Sequence, residues 1–314
     1  MVTDFGADQA FAQVMDKLVE HYGIVLGEST IRRITEGHAQ KIFERTAAQR
    51  ALAQPSRPAQ PGGAPVVIVE MDGGMVPIVE PDGTQSDQRK GKKLQWQEAK
   101  ICLAHPKGST TLTYGGTVQG DVATAGQKLL ECATQAGFGA HTHIHAVGDG
   151  AQWIADQVED QFGAQGSYLL DFYHVCDYLS AAAKTITGEP AAQAAWMDEQ
   201  KARLKTQRSG EVLRALQPHL EEAGVAEAEA PVRQCHRYLS HRPDQLHYRS
   251  AIERDLPIGS GEIESAHRYI VQQRLKRPGA WWCATNAEHM LALRLNRANR
   301  QWDAYWATQF KQAA

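Results

Sequence analysis

The sequence predicts an α/β fold interrupted by a helical insertion. Three observations support this: an apolar run of strand length over residues 66–72, VVIVEMD; an alternation of short strands with amphipathic helices as far as residue 172; and an Ala-rich, almost wholly helical stretch from 173 to 230. A chain of 314 residues, 42% of them hydrophobic, can bury the core of one large domain or two ordinary ones.

Taken in order, Phe11, Val14, Met15, Leu18 and Val19 recur at helical spacing, and YGIVLG at 22–27 breaks the pattern before a second helical run. Residues 1–48 therefore read as two helices joined by a short turn. Ser29 or Thr30 can cap the second, which carries Ile31, Arg32, Arg33 and Ile34. The arrangement is compatible with a helix-turn-helix and equally with an ordinary helical hairpin. Pro55, Pro58, Pro61 and Pro65 exclude regular helix, and 49–65 is read as a linker. After strand 66–72, Gly73-Gly74 is expected to turn the chain into a strand at 75–79, and a further strand follows at 98–103. Helix 122–136, strand 142–147, helix 152–162 and strand 168–172 complete an order β-β-β-α-β-α-β. This first part of the core, 66–176, precedes a helical insertion over 177–255. The core then resumes over 256–314 with helices at 262–277 and 285–306.

Composition excludes several classes. A formal net charge of -3 is no global signature of nucleic-acid binding, so any basic surface must be local. Five scattered cysteines without a CxxC pair argue against a disulfide framework or cysteine zinc site. No apolar run approaches the ~18–20 residues of a membrane span, and no basic start precedes an apolar segment, so a cytoplasmic protein is expected. His141, His143 and His145 alternate on one strand face but span too far to share one ion, and Cys235, His236 and His241 are expected to be structural.

The carboxylates carry the chemistry. Asp72 ends an apolar run and precedes two glycines; Asp149 follows the strand HIHAV and sits between Gly148 and Gly150. Acids at the ends of neighbouring strands lie where α/β sheets place ligands, although a lone strand-end Asp is more often a turn or cap residue. Hard divalent ions select carboxylate oxygens, and a pair of them stabilises the attacking and leaving oxygens of a phosphodiester. In the GSGEIES segment, Glu262 and Glu264 both fall in the first turn of a helix, on different faces, so one of them at most is expected to join the aspartates.

The segments EMDGG, VGDGAQWI, LLDFYHVCDYL and IGSGEIESAHRYIVQQRLK, with the later GAWW, resemble bacterial insertion-sequence transposases of the DDE class, closest to the Kra-type branch and related to the Mutator-like group. The resemblance spans roughly 66–306. It implies an RNase H-like mixed sheet with a helical insertion before the last acid, behind a small helix-turn-helix-like segment. It implies catalytic and metal-holding roles for Asp72, Asp149 and Glu264, with two Mg²⁺ or Mn²⁺ ions, and it is the resemblance that prefers Glu264 to Glu262. Asp171 and His174 match the D-x-x-H signature of Mutator-like members; they read either as polar support beside the metal site or as a strand-end acid followed by a helix-start His. The implied activity is cleavage and strand transfer of transposon-end DNA by a homo-oligomer assembled on double-stranded inverted repeats and target. Family members are commonly longer at the N-terminus, so a DNA-binding remnant without catalysis is one alternative, and a structure-specific nuclease without strand transfer is another.

The local basic surface is expected between 265 and 300, where Arg268, Arg274, Lys276, Arg277, Arg294, Arg297 and Arg300 face one acid, Glu288. Trp281 and Trp282 adjoin it and could stack on unpaired bases, or be core residues beside a solvated helix face. Arg32 and Arg33 are DNA-contact candidates in the N-terminal helix. Arg89, Lys90, Lys92, Lys93, Lys100 and Lys107, against Asp87 and Glu98, form a second basic group suited to phosphates or to plain solvation.

Overall fold

The computed structural model describes residues 1–53, 62–81 and 91–313. In chain order it holds helices α1 (Val2–Asp8), α2 (Phe11–Tyr22) and α3 (Glu28–Ala53), then strands β1 (Val66–Pro81), β2 (Lys92–Pro106) and β3 (Thr113–Thr117). Helix α4 (Val122–Gln135), strand β4 (His143–Gly148), helix α5 (Gln152–Phe162) and strand β5 (Gly166–Leu170) follow. Next come α6 (Phe172–Ile186), α7 (Pro190–Lys205), α8 (Ser209–Leu216), α9 (Pro231–Ser240) and α10 (Tyr248–Glu253). The chain closes with α11 (Gly261–Ala266), a π-helical turn (His267–Gln272), α12 (Gln273–Leu275), α13 (Ala284–Ala298) and α14 (Trp302–Ala313). The fold is mixed α/β, in two compact units: residues 1–142, 160–162 and 261–314 form the first, residues 143–159 and 163–260 the second.

In the first unit β3, β2 and β1 form an antiparallel ladder in that order, with β1 and β2 paired from Val67↔Pro106 to Pro81↔Lys92. Val76, Ile78, Ile101 and Leu103 of the ladder pack with Ile263, Ile270, Met290 and Leu293 of the C-terminal helices. Each such aliphatic side chain contributes roughly 1.5–3 kcal/mol when taken from water. Ile31, Thr35, Ala39 and Ile42 recur at helical spacing and bury one side of α3. The glycine Gly6 lets α1 approach it, because a Cβ there would overlap the Thr35 side chain.

Four local expectations change. Gly73-Gly74 is not a turn: β1 runs straight through, with Gly73 opposite Lys100 and Gly74 opposite Ala99, so Asp72 lies mid-strand and the third strand is β3. The glycines serve close packing instead, since a Cβ on Gly73 would overlap the Glu98 side chain and one on Gly74 would lie 2.8 Å from the His267 ring. Helix α3 starts at Glu28, with Thr30 and Ile31 N–H donating to the Gly27 carbonyl, so neither Ser29 nor Thr30 is its cap; it runs on to Ala53. The helix expected over 285–306 breaks between α13 and α14, where Arg300 takes φ +56. The one expected over 262–277 divides into α11, the π turn and α12. Residues 54–61 of the expected linker, together with Asp87, Arg89 and Lys90, lie outside the described residues.

In the second unit β4 and β5 pair in parallel, from Ile144↔Gly166 to Gly148↔Leu170. The helical reading after residue 173 is observed as α6–α10, with Val175, Leu179, Leu204, Val212, Leu216, Val232 and Leu239 buried. Tyr178 of α6 stacks on Tyr238 of α9 at 4.2 Å between ring centroids. Among the described residues no helix is long and apolar enough to cross a membrane.

Candidate functional site

Side chains two apart on a strand share a face. On β1 the face shared by Glu70, Asp72 and Gly74 receives α11 and the turn after it. Buried Glu70 accepts a 2.8 Å hydrogen bond from the Ile263 N–H, satisfying a first-turn amide of α11 that would otherwise be orphaned. Two residues along, Asp72 Oδ2 lies 3.4 Å from Nε2 of buried His267, while Oδ1 accepts from the Gly73 N–H at 2.7 Å. At 3.4 Å the two are farther apart than in a strong hydrogen bond, and the His267 Nε2 is buried without a hydrogen-bond partner among the described residues. The His267 ring rests on Gly74, the one residue type that leaves it room. Asp72 remains 31% exposed.

Glu264 precedes His267 by three residues, a spacing that makes side chains neighbours on a helix. It is exposed and makes no hydrogen bond or ion pair among the described residues. Glu262 is occupied differently, 2.9 Å from Nε2 of His105 on β2. Burial opposes the charge on His105, but the hydrogen bond and charge of Glu262 outweigh it and hold the pKa above the usual imidazole range. One acid is thus tied to the ladder while the other is open to solvent.

In the second unit Asp149 sits just past β4 and is half-buried; its Oδ1 accepts from the Ala151 N–H at 2.9 Å in a side-chain-to-backbone turn. The turn is gripped from α9 and the residues after it. Tyr238 Oη donates to the Asp149 carbonyl at 2.6 Å, and Arg242 donates to the Gly150 carbonyl through Nε at 3.2 Å and Nη2 at 2.8 Å. Tyr168 Oη accepts from the Gly150 N–H at 3.0 Å. Burial raises the pKa of both tyrosines, so both stay protonated. Gly150 takes φ +86, where an added Cβ would fall 2.7 Å from Tyr238 Oη.

Asp171, 3% exposed, has both oxygens engaged. Oδ1 accepts from the N–H groups of Tyr173 (2.6 Å) and His174 (3.0 Å), capping α6; Oδ2 accepts from Ser260 N–H and Oγ, both at 2.6 Å. Asp171 is thus the N-cap of α6. It also holds Ser260. His174 is half-buried between the rings of Tyr178 and Tyr238, 5.8 and 6.2 Å away.

Among the described residues no three His, Cys, Asp or Glu side chains gather into a metal cage. Asp72 and Glu264 in the first unit and Asp149 in the second each present carboxylate oxygens, the donor type that a hard ion such as Mg²⁺ selects. His143 and His145 are engaged elsewhere: His143 with Ser167 Oγ at 3.1 Å, His145 with the Pro257 carbonyl at 2.8 Å.

A family model described as an uncharacterised protein family, UPF0236, matches residues 138–304, more than half of the chain. The chain belongs to the UPF0236 family. Comparison with curated proteins finds no match. The UPF0236 segment contains Asp149, Asp171, Glu264 and His267 and begins after Asp72.

The expected basic surface of this UPF0236 member is redistributed. Arg274 is 3% exposed, donates from Nε to the Gly6 carbonyl at 2.9 Å, and lies between the rings of Phe11 and Trp282, so it is no exposed DNA contact. Trp282 is 5% exposed and cannot stack on a base: it bridges to Ile78 of β1 and turns inward. Arg294 is buried against Asp8, and Arg297 pairs with Asp4 and Asp8. Arg268 and Lys276 are exposed, and Arg277 is partly buried, donating to Gln13 Oε1 at 2.7 Å. Trp281 is 53% exposed, and Arg32 and Arg33 are exposed on α3. In the second basic group Lys100 pairs with Glu98 at 3.0 Å, while Lys92, Lys93 and Lys107 are exposed.

Sequence reasoning missed His267, Glu70, Tyr238 and Arg242. The three-residue spacing from Glu264 could have flagged His267. Nothing local marks Tyr238 or Arg242, which reach the Asp149 turn from far along the chain.

Proposed function

We propose that this protein is a metal-dependent DNA strand-cutting and joining enzyme of the DDE transposase kind, built on an RNase H-like core, with Asp72, Asp149 and Glu264 as its reactive carboxylates. The observation that carries the reading is the register of α11 on β1. Glu70 binds the Ile263 N–H and Asp72 lies 3.4 Å from His267, three residues after Glu264, so the helix that bears Glu264 packs on the strand that bears Asp72 and both acids stay accessible. The motif resemblance supplies Asp149, and its turn is braced as a site requiring a fixed carboxylate needs.

Two Mg²⁺ or Mn²⁺ ions, when bound, would stabilise charge on the attacking and leaving oxygens of a phosphodiester. The chain's own part is orientation. The Gly73 N–H fixes the Asp72 carboxylate, the Ala151 N–H fixes that of Asp149, and Glu70 fixes the start of the helix bearing Glu264. The partners would be transposon-end and target double-stranded DNA, engaged by a homo-oligomer.

The test uses full-length protein, Mg²⁺ and the inverted repeats that flank its gene. Wild type should nick the ends and join them to target, and Asp149→Asn should lower nicking at least about a hundredfold. Undiminished nicking in that variant would refute the assignment, and cutting without joining would reduce the activity to that of a nuclease.

A further inference from the structure

Two neighbouring grooves of the first unit, about 740 and 780 Å³, share Arg32, Glu36 and Asn286 as walls. They bring together residues remote in sequence: the start of α3, the start of α13, and the loop 277–283 between α12 and α13. Five cations, Arg32, Arg33, Lys92, Arg274 and Arg277, face two carboxylates, Glu28 and Glu36. Burial raises the pKa of Glu36 against the opposing pull of Arg32.

Three independent features make this a site for a phosphate-bearing chain. The first is Arg274 in the wall of the groove of about 740 Å³. Its guanidinium is sandwiched at 4.6 and 4.7 Å by Phe11 and Trp282, and its Nη2 has no hydrogen-bond partner. Burial pushes its pKa down only to about 10, so it keeps its charge at neutral pH and projects it through a medium of low dielectric.

The second is a pair of helix N-termini. Ser29 and Thr30 in the first turn of α3, and Thr285 and Asn286 in the first turn of α13, line the grooves, and the α13 N-cap, Cys283, provides no side-chain cap. First-turn amides and the positive end of the helix dipole favour anions.

The third is Trp281. The segment at 281–283 runs beside β1, with the Val79 N–H donating to the Trp282 carbonyl at 2.8 Å, and strand-like alternation sends Trp282 into the core and Trp281 out into the groove. A half-exposed indole beside a cationic channel is the pairing that binds unpaired bases through their faces and the backbone through its phosphates.

We infer that this groove binds a short unpaired segment of nucleic acid, with a base stacked on Trp281 and phosphates along Arg32, Arg33 and Arg277. The inference rests on the proposed DNA chemistry only for its biological setting; the groove makes no use of Asp72, Asp149 or Glu264.

The experiment is fluorescence anisotropy of a fluorescein-labelled 12-nucleotide single-stranded DNA with full-length protein in EDTA, so that binding is read apart from metal chemistry. Trp281→Ala should weaken binding about five- to a hundredfold, with Trp281→Tyr restoring most of it. Arg32→Ser with Arg33→Ser should weaken binding about tenfold and flatten its salt dependence. Arg249→Ser, an exposed arginine of the second unit, should change nothing. A duplex of the same length should bind less tightly than the single strand, and inorganic phosphate should compete only weakly. Wild-type affinity in Trp281→Ala, preference for duplex, or displacement by polyglutamate as readily as by unlabelled oligonucleotide would overturn the inference. Groove-dependent binding in a protein that never nicks DNA would sustain it while removing the proposed catalytic function.

Discussion

The two aspartates are held by opposite strategies. Asp72 sits mid-strand in β1, and its surroundings come from backbone proximity: an adjacent N–H, a glycine two residues on, and one histidine let in by that glycine. Asp149 sits in a loop gripped by side chains of Tyr168, Tyr238 and Arg242, the last two contributed by the helical region after α8. A ladder with its register fixed along fifteen pairs needs little help to aim a carboxylate, whereas a turn after a strand does. The helical insertion therefore has a structural task at the second aspartate, whatever else it contacts.

This contrast can be broken at its two glycines. Gly150→Ala should be the more damaging, because it combines a left-handed φ with collision against Tyr238 Oη; a loss of about 2–4 kcal/mol is expected in chemical denaturation. Gly74→Ala carries no unfavourable φ and should cost about 1–3 kcal/mol through displacement of His267 alone. The sharper form is a double-mutant cycle. In a His267→Ala background the Gly74→Ala penalty should largely vanish, whereas no substitution at His267 should relieve Gly150→Ala. Additive effects at Gly74 and His267 would show that the ring does not depend on that glycine.

A smaller effect distinguishes the histidines by pH. Burial depresses the pKa of His145 to about 4, below the unfolded value near 6.5. The unfolded chain then binds the proton first, so stability is complete above about pH 6.5 and falls as pH drops toward 4, by at most about 3 kcal/mol. His105 has the opposite sign: its raised pKa gives a contribution present at low pH and lost as pH rises through that value. Urea midpoints measured from pH 4 to 8 should show His145→Gln flattening the acid limb, while Glu262→Gln leaves that limb unchanged and removes a small stabilisation below neutrality. An acid limb unaltered by His145→Gln would refute its burial as a neutral ring.

Much of the fold was legible because hydrophobic period is a local signal. The run at 66–72, the helix that became α5 and the strand that became β4 declare themselves within a few residues. Gly73-Gly74 misled because glycine has two uses, reversal of the chain and close approach, and only the tertiary neighbours Glu98 and His267 decide between them. Arg274 and Trp282 looked like surface residues since sequence shows charge and aromaticity but not which face of the segment meets Phe11 and Ile78. In the carboxylate set, the glycines beside Asp149 marked its turn locally, whereas the His105 contact that occupies Glu262 and leaves Glu264 open is made across the fold and has no local signal.

That choice gives the most direct measurement of the account. Mg²⁺-dependent nicking of inverted-repeat DNA should be compared in wild type, Asp72→Asn, Glu264→Gln and Glu262→Gln, with folding of each checked by its urea midpoint. With Asp72 and Glu264 as reactive carboxylates, nicking should fall at least about a hundredfold in Asp72→Asn and Glu264→Gln and stay near wild-type in Glu262→Gln. Undiminished nicking in Asp72→Asn, or loss in Glu262→Gln with retention in Glu264→Gln, would contradict it.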